Sequence, residues 1–431
     1  MRDGFVWGVA SAAYQTEGAA FEDGKGASVW DVFSHTPGKT RNGDTGDEAC
    51  DAYHRVDGDL DLLASLGIRN YRFSVSWPRV FPAGEGALNP AGPAFYDRVV
   101  NGCLARGIEP WVTLYHWDLP ERLQERFGGW QSRKTAEAFA AYAGVVAAHF
   151  RGRVRRYFVL TEPQCFITLG YGTGVHAPGL RLPEREVLCC WHNALLAYGL
   201  AARALRAADP GAEIGLASTG KLCYPERAAD TEAARALSFR TTPETVGFCH
   251  QMLLDPVCFG RCPEGVSLGA AGDMELICQP PDFIGLNIYH GSRVRDGAET
   301  PWEAYTERTA MGWPVTPEIL YYGPKFIYER YGLPLVISEN GASFRDAPSP
   351  EGSVRDPARV SFLERCLAQL ERAVDDGIPV RGYFHWSFTD NFEWSDGYDE
   401  RFGLVYVDYK TQKRIPKESA DWFSGKIKKQ S

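Results

Sequence analysis

Two spacings of apolar residues alternate along this 431-residue chain. Short apolar, β-prone runs recur at residues 5–10, 69–75, 109–114, 157–160, 213–217, 283–286, 335–337 and 380–384. Most are continuous rather than alternating, as in strands buried on both faces. Between most of them lie longer segments, at 53–66, 94–106, 134–150, 187–208, 317–331 and 357–376, whose apolar residues recur at helical spacing. That spacing gathers apolar side chains on one stripe of a helix.

Strands that alternate with helices predict a parallel sheet, since a parallel neighbour is reached only through a crossover. Eight strands without a linker or low-complexity stretch predict one α/β domain over residues 1–431. The fold expected is a single (β/α)8 TIM barrel with elaborated βα loops, although the length alone suggests two or three domains. Pro/Gly-rich stretches at 36–47 and 347–357 read as loops over that barrel.

Two of the runs end in a carboxylate. Leu-Pro-Leu-Val-Ile-Ser-Glu-Asn-Gly at 333–341 delivers Glu339 just past a buried strand, and Asn340 and Gly341 turn the chain away. Tyr-Phe-Val-Leu-Thr-Glu-Pro at 157–163 delivers Glu162, and Pro163 ends its strand. In a parallel barrel the C-terminal strand ends converge, so two glutamates far apart in sequence are expected to meet there. Other strand ends supply amide, imidazole, carboxylate and indole: Gln15, His116, Asn287 with Tyr289, and Trp386 with Glu393 and Trp394. Such a rim suits a sugar, whose hydroxyls take directed polar partners and whose C–H faces take aromatic rings.

Composition narrows the partners. A formal charge of -9 argues against nucleic acid and anionic membrane. The eleven cysteines follow no framework spacing, so buried reduced thiols are expected rather than disulfides or a zinc ribbon. Met1-Arg2-Asp3-Gly4 runs directly into Phe5-Val6-Trp7-Gly8, which reads as folded core; no secretory signal, transit peptide or membrane span is expected. A cytoplasmic, metal-free protein is expected, with the tail lysines Lys426, Lys428 and Lys429 as a solvated end. The run Gly170-Tyr171-Gly172-Thr173-Gly174 lacks the lysine and strand–turn–helix context of a phosphate loop.

The runs Phe5-Val6-Trp7-Gly8-Val9-Ala10-Ser11-Ala12-Ala13-Tyr14-Gln15-Thr16-Glu17-Gly18, Tyr71-Arg72-Phe73-Ser74-Val75-Ser76-Trp77-Pro78-Arg79, Thr113-Leu114-Tyr115-His116-Trp117-Asp118-Leu119-Pro120, Ile337-Ser338-Glu339-Asn340-Gly341 and Trp386-Ser387-Phe388-Thr389-Asp390-Asn391-Phe392-Glu393-Trp394 resemble glycoside hydrolase family 1, the β-glucosidase family. The resemblance extends from residue 5 to about residue 424. It implies a retaining β-glycosidase, most simply a β-glucosidase acting on a small-molecule or oligosaccharide β-glycoside. Glu339 would be the nucleophile and Glu162 the acid and base, their carboxyls about 5–5.5 Å apart as retention requires. Arg72 and Tyr289 match the nucleophile's neighbours and would keep Glu339 ionised, while burial and Glu339 would raise Glu162.

The resemblance further implies that Gln15 and Glu393 grip the hydroxyls on the 3-, 4- and 6-side. His116, Asn287 and Trp394 would complete the polar ring, with Trp386 under the sugar face. A carboxylate at 393 favours an unphosphorylated sugar. One position departs: Thr161 stands where the family has an asparagine that bonds the sugar 2-hydroxyl, so that bond is expected to be lost, weakened or bridged by water. Short segments at 265–280 and 293–308 read as trimmed loops. Alternatives on the same site are a transglycosidase, a β-galactosidase or β-fucosidase, and a non-catalytic sugar-binding barrel.

Overall fold

A computed structural model describes residues 4–242, 245–270 and 272–429. Eight parallel strands close a barrel: β1 Val6–Ala10, β2 Asn70–Ser74, β3 Glu109–Thr113, β4 Arg156–Thr161, β5 Glu213–Ser218, β6 Phe283–Asn287, β7 Leu335–Asn340 and β8 Val380–Trp386. Each pairs with its neighbours in sequence, and β8 closes on β1 through Val6↔Gly382 to Ala10↔Trp386. This is the expected (β/α)8 barrel; seven strands lie within two residues of their predicted bounds, and β7 runs three residues past its own, through Asn340.

Helices Ala52–Ser65, Ala91–Ala105, Arg133–Phe150, Glu184–Ala208, Ile319–Tyr331 and Pro357–Asp375 follow the periodic segments. Between β5 and β6 the chain forms short helices, Thr231–Ser238, Gln251–Phe259 and Asp273–Ile277, that periodicity did not show. Each is too short for a clear 3.6-residue stripe, and Pro256 lies inside the second. The lysine-rich tail belongs to a packed helix rather than a loose end, although Lys428 and Lys429 stay exposed to solvent. Helix Glu418–Lys428 sets Phe423 edge-on to Trp7 at 5.9 Å, and Lys426 pairs with Glu371 at 2.7 Å.

Inside the barrel, aromatic rings form the layer beneath the C-terminal mouth. Trp111 lies 5.0 Å from Phe384 and 5.8 Å from Phe283, and Phe158 lies 5.2 Å from Phe283. Gly285 makes room for this layer, because a Cβ there would stand 2.6 Å from the Phe158 ring. The glycine run 170–174 continues helix Pro163–Ile167 as a turn over Thr168–Thr173. Gly170 packs so closely on the Ala177 carbonyl that a Cβ would sit 2.4 Å from it, so this glycine serves packing. All eleven cysteines are unpaired. No helix among the described residues is long and apolar enough to cross a membrane.

Candidate active site

The two glutamates sit where the strand ladders break. Pairing of β4 with β5 shifts register between Phe158 and Thr161, and pairing of β7 with β6 shifts between Ile337 and Glu339. Such irregularities re-aim side chains at a barrel rim. Glu162 adopts φ 50°, ψ 64°, a left-handed conformation that costs an L-residue roughly 1–2 kcal/mol. Pro163 forbids the strand from continuing, and a new helix starts at once. Trp117 (φ 79°) and Trp394 (φ 52°) share the left-handed region and the same cavity wall. Backbone strain of this kind collects at functional sites.

Glu339 is held by two donors: Arg72 Nη1 at 2.5 Å to Oε1 and the Tyr289 hydroxyl at 2.7 Å to Oε2. Arg72 is fully buried and spends its other donors on the Ser338 carbonyl (3.1 Å), the Thr113 hydroxyl (3.0 Å) and the Thr161 hydroxyl (2.8 Å). Its guanidinium lies 4.5 Å over the Phe158 ring, which ties the carboxylate clamp to the aromatic layer below. Charge-assisted bonds from a rigid guanidinium fix both position and orientation.

Glu162 meets no cation at bonding distance among the described residues. Its Oε1 accepts from Asn287 Nδ2 at 2.8 Å, and Asn287 Oδ1 accepts from the Ser338 hydroxyl at 2.6 Å. The two glutamates are therefore joined through Asn287, Ser338 and Arg72. Asn287 was expected in the sugar-binding ring; here its amide is committed to Glu162 and Ser338. Burial pushes the Glu162 carboxyl up to about 7, with the charge of Glu339 adding to the rise, against the opposing hydrogen bonds from Asn287 and Cys165. A carboxyl in that state holds a proton near neutral pH and can give it up.

The remaining predicted residues surround this pair. Gln15 Nε2 bonds Asn391 Oδ1 (3.1 Å), the Phe392 carbonyl (2.8 Å) and, at 3.4 Å, Glu393 Oε2. Gln15 Oε1 and His116 Nδ1 are buried polar atoms without a protein partner. Burial, then the charge of Arg72, holds the His116 imidazole neutral. Burial, with Asp396 and the other carboxylates, drives Glu393 well above the usual carboxylate range. These unfulfilled groups fit a ligand that brings hydroxyls. His116 stacks on Trp386 at 5.6 Å and on Trp394 at 6.0 Å, so the ring and the indoles form one aromatic wall.

All of the sequence-predicted residues thus converge on one end of the barrel. Trp386, Trp394, His116, Glu393 and both catalytic candidates line a single cavity of about 590 Å³, while Arg72, Thr161 and Gln15 support it from behind. Reading the sequence missed Cys165, Ser338, Asn391 and Thr113, which position the predicted residues. Cys165 lies three residues after Glu162, one helical turn on, and that spacing was its signal. The segment 293–308, expected as a trimmed loop, supplies Glu299 and Trp302 to the cavity wall. Among the described residues no group of three or more His, Cys, Asp or Glu side chains could hold a metal ion.

A proton-bearing buried carboxyl facing a carboxylate clamped by a guanidinium and a phenol can cleave an acetal with nucleophilic and acid assistance together. The comparisons agree with that chemistry. The family model described as glycosyl hydrolase family 1 matches residues 1–431. Beta-glucosidase A of Thermotoga maritima is 42% identical over 446 residues, covering 99% of this chain and 97% of the relative. The bifunctional beta-D-glucosidase/beta-D-fucosidase of Bifidobacterium breve is 41% identical over 456 residues, covering 97% and 96%. The solved structure of beta-glucosidase from Thermotoga maritima in complex with glucoimidazole superposes with a TM-score of 0.91 at 40% identity, covering 100% of this chain and 99% of that one.

Proposed function

The chain belongs to glycosyl hydrolase family 1, and from that premise we propose that it is a retaining β-glucosidase built as one domain over residues 1–431. The observation that carries the reading is the opposite treatment of two carboxyls in one cavity: Glu339 in a guanidinium–phenol clamp, Glu162 buried and raised. Glu339 attacks the anomeric carbon while Glu162 gives its proton to the departing oxygen. Glu162, then ionised, takes a proton from water, whose oxygen attacks the same carbon and releases the sugar with its configuration kept. The clamp supports Glu339 as the nucleophile, since two donors fix the position and orientation of its carboxyl for attack.

Gln15, His116, Glu393 and Trp394 take the distal hydroxyls of an unphosphorylated glucosyl unit, and Trp386 lies under its face. Asn287 orients Glu162 and stays within reach of the sugar. Thr161 contributes differently from an asparagine: its lone pair is engaged by Arg72, which leaves its single proton to donate to the 2-hydroxyl. Relatives named for glucosidase activity support the glucosyl choice, and the bifunctional relative keeps β-fucosides within the same site's reach. Eleven unpaired thiols suit a reducing compartment such as the cytoplasm. No cofactor is required by two carboxylates and water.

The test is hydrolysis of p-nitrophenyl β-glucoside, β-galactoside, β-fucoside and β-xyloside by wild type, Glu339→Ala and Glu162→Ala, with the first-formed anomer read by NMR. Release of β-glucose, lost in Glu339→Ala, supports the reading. First-formed α-glucose, or activity surviving in Glu339→Ala, overturns it.

A further inference from the structure

Beyond Glu162 and Glu339 the cavity continues into an outer half with a different construction. The loops after β5 and β6 meet there in a small sheet: Cys223–Pro225 runs parallel to Ser292–Arg295, which turns back antiparallel into Ala298–Glu299. This sheet sets Lys221, just before its first strand, against Glu299 on its last. Their side chains form an ion pair on the cavity wall and remain 26% and 32% exposed. The pair therefore ties the two loops together and faces whatever occupies the cavity.

A line of ring contacts leads from the reaction centre to the same place. Tyr289, which donates to Glu339, lies 5.4 Å from Trp313; Trp313 lies 5.5 Å from His290, and His290 meets Trp302 edge-on at 5.1 Å. Trp302 is 41% exposed and lines the cavity, a large apolar side chain left open to solvent there. Phe248, Leu222 and Leu169 also line the cavity, and the Lys221 backbone N–H bonds the Phe248 carbonyl at 2.9 Å. A second sugar presents hydroxyls around its whole edge and would need several directed partners, whereas this half is mostly apolar faces, with the ion pair, Thr219, Ser292 and His290 as its polar side chains. Because the ammonium and the carboxylate already neutralise each other, a charged aglycone would find no unpaired counter-charge in this pair. A neutral hydroxyl can accept from Lys221 and donate to Glu299 at once.

We infer that Lys221 and Glu299, together with Trp302, select β-glucosides of neutral phenolic aglycones, the aryl ring lying along the aromatic line and a ring hydroxyl engaging the ion pair. The inference rests on the β-glucosidase reading and names the aglycone for it. The experiment compares kcat/KM for 4-hydroxyphenyl β-D-glucoside, phenyl β-D-glucoside and cellobiose in wild type, Trp302→Ala and the double variant Lys221→Met/Glu299→Gln, which leaves no unpaired charge. The two phenols are leaving groups of similar acidity, so their ratio reports the distal hydroxyl. The double variant is expected to lower the hydroxyphenyl-to-phenyl ratio about fivefold to tenfold, the value of one lost charge-assisted hydrogen bond. Trp302→Ala is expected to lower the phenyl-to-cellobiose ratio by about the same factor. Ratios that stay within twofold in variants of unchanged Tm, or a loss that falls on cellobiose instead, overturn the inference. A wild-type enzyme inactive on all three glucosides overturns the β-glucosidase reading itself.

Discussion

The two mouths of the barrel both carry guanidinium–carboxylate pairs, and they use them in opposite ways. At the N-terminal mouth Arg156 lies over the Trp111 ring at 4.7 Å and pairs with Glu109 at 2.5 Å and Glu213 at 3.4 Å; both glutamates are about a third exposed. Arg381 approaches Glu213 at 3.8 Å. Every carboxylate in this cluster has a cation, and water screens it. At the C-terminal mouth Arg72 and Glu339 are almost wholly buried, and Glu162 sits beside them with no cation at bonding distance. Desolvation makes each of those contacts stronger, and makes a missing partner costlier. The exposed cluster trims the end of a fold; the buried one treats two carboxyls unequally, Glu339 between two donors and Glu162 raised by burial, which is the asymmetry the proposed reaction uses.

Removing the charges tests that contrast most directly. Glu339→Gln should lower kcat by roughly 10⁴-fold or more on every glycoside, since no other group in the cavity is clamped for attack. Glu162→Gln should cost about 10²–10⁴-fold on a substrate with a poor leaving group such as cellobiose, and far less on 2,4-dinitrophenyl β-glucoside, whose leaving group departs without a proton. Equal losses on the two substrates would remove Glu162 from the acid role. Both effects are read by steady-state kinetics.

The pH profile follows next in size. With Glu162 raised to about 7, kcat/KM should fall about tenfold per pH unit on the alkaline side of that value, and the limb should vanish in Glu162→Gln. Stability carries the same sign. The folded protein binds the Glu162 proton at a pH where the unfolded chain, with an ordinary glutamate near 4.3, has lost it. The stability of wild type relative to Glu162→Gln should therefore decline as pH rises from about 4 to about 7, measurable by urea unfolding across that range.

Thr161 separates the two duties of the buried cluster. Thr161→Val leaves an Arg72 donor unpaired in the interior and should cost about 1–3 kcal/mol of stability, read by urea unfolding. Thr161→Asn supplies an amide that can accept from Arg72 and still donate to the 2-hydroxyl, so kcat/KM on an aryl β-glucoside should rise. A mutant with unchanged or lower activity would show that the single Thr161 donor serves the 2-hydroxyl as well as an amide does. At the other mouth, Glu213→Gln should change stability by less than about 1 kcal/mol and leave kcat unaltered, as partly exposed pairs do.

The proposed catalytic pair was legible in one dimension because a charge at the end of a buried apolar run contradicts the pattern around it. Glu162 and Glu339 each end such a run, and the parallel-barrel topology required their meeting. The eight strands were legible for the same reason, since fully buried strands leave continuous apolar runs, while the helices between β5 and β6 were too short to show a period. The residues that support the site through local spacing, such as Cys165 one turn after Glu162, left a faint signal. Those joined between strands distant in sequence, such as Ser338 to Asn287 and Arg72 to Thr161, left none.

Sequence alone thus determined which residue types reach the C-terminal mouth, because strand ends and their apolar periods are local properties of the chain. Only the tertiary structure decided how protons and donors are shared among them. It bound Arg72 to Thr161 and turned Asn287 toward Glu162. It also brought Lys221 against Glu299, residues 78 positions apart, through loops whose pairing no local pattern encodes. Hydrogen-bond partners and desolvation depend on distances through space, and those exist only once the barrel has closed.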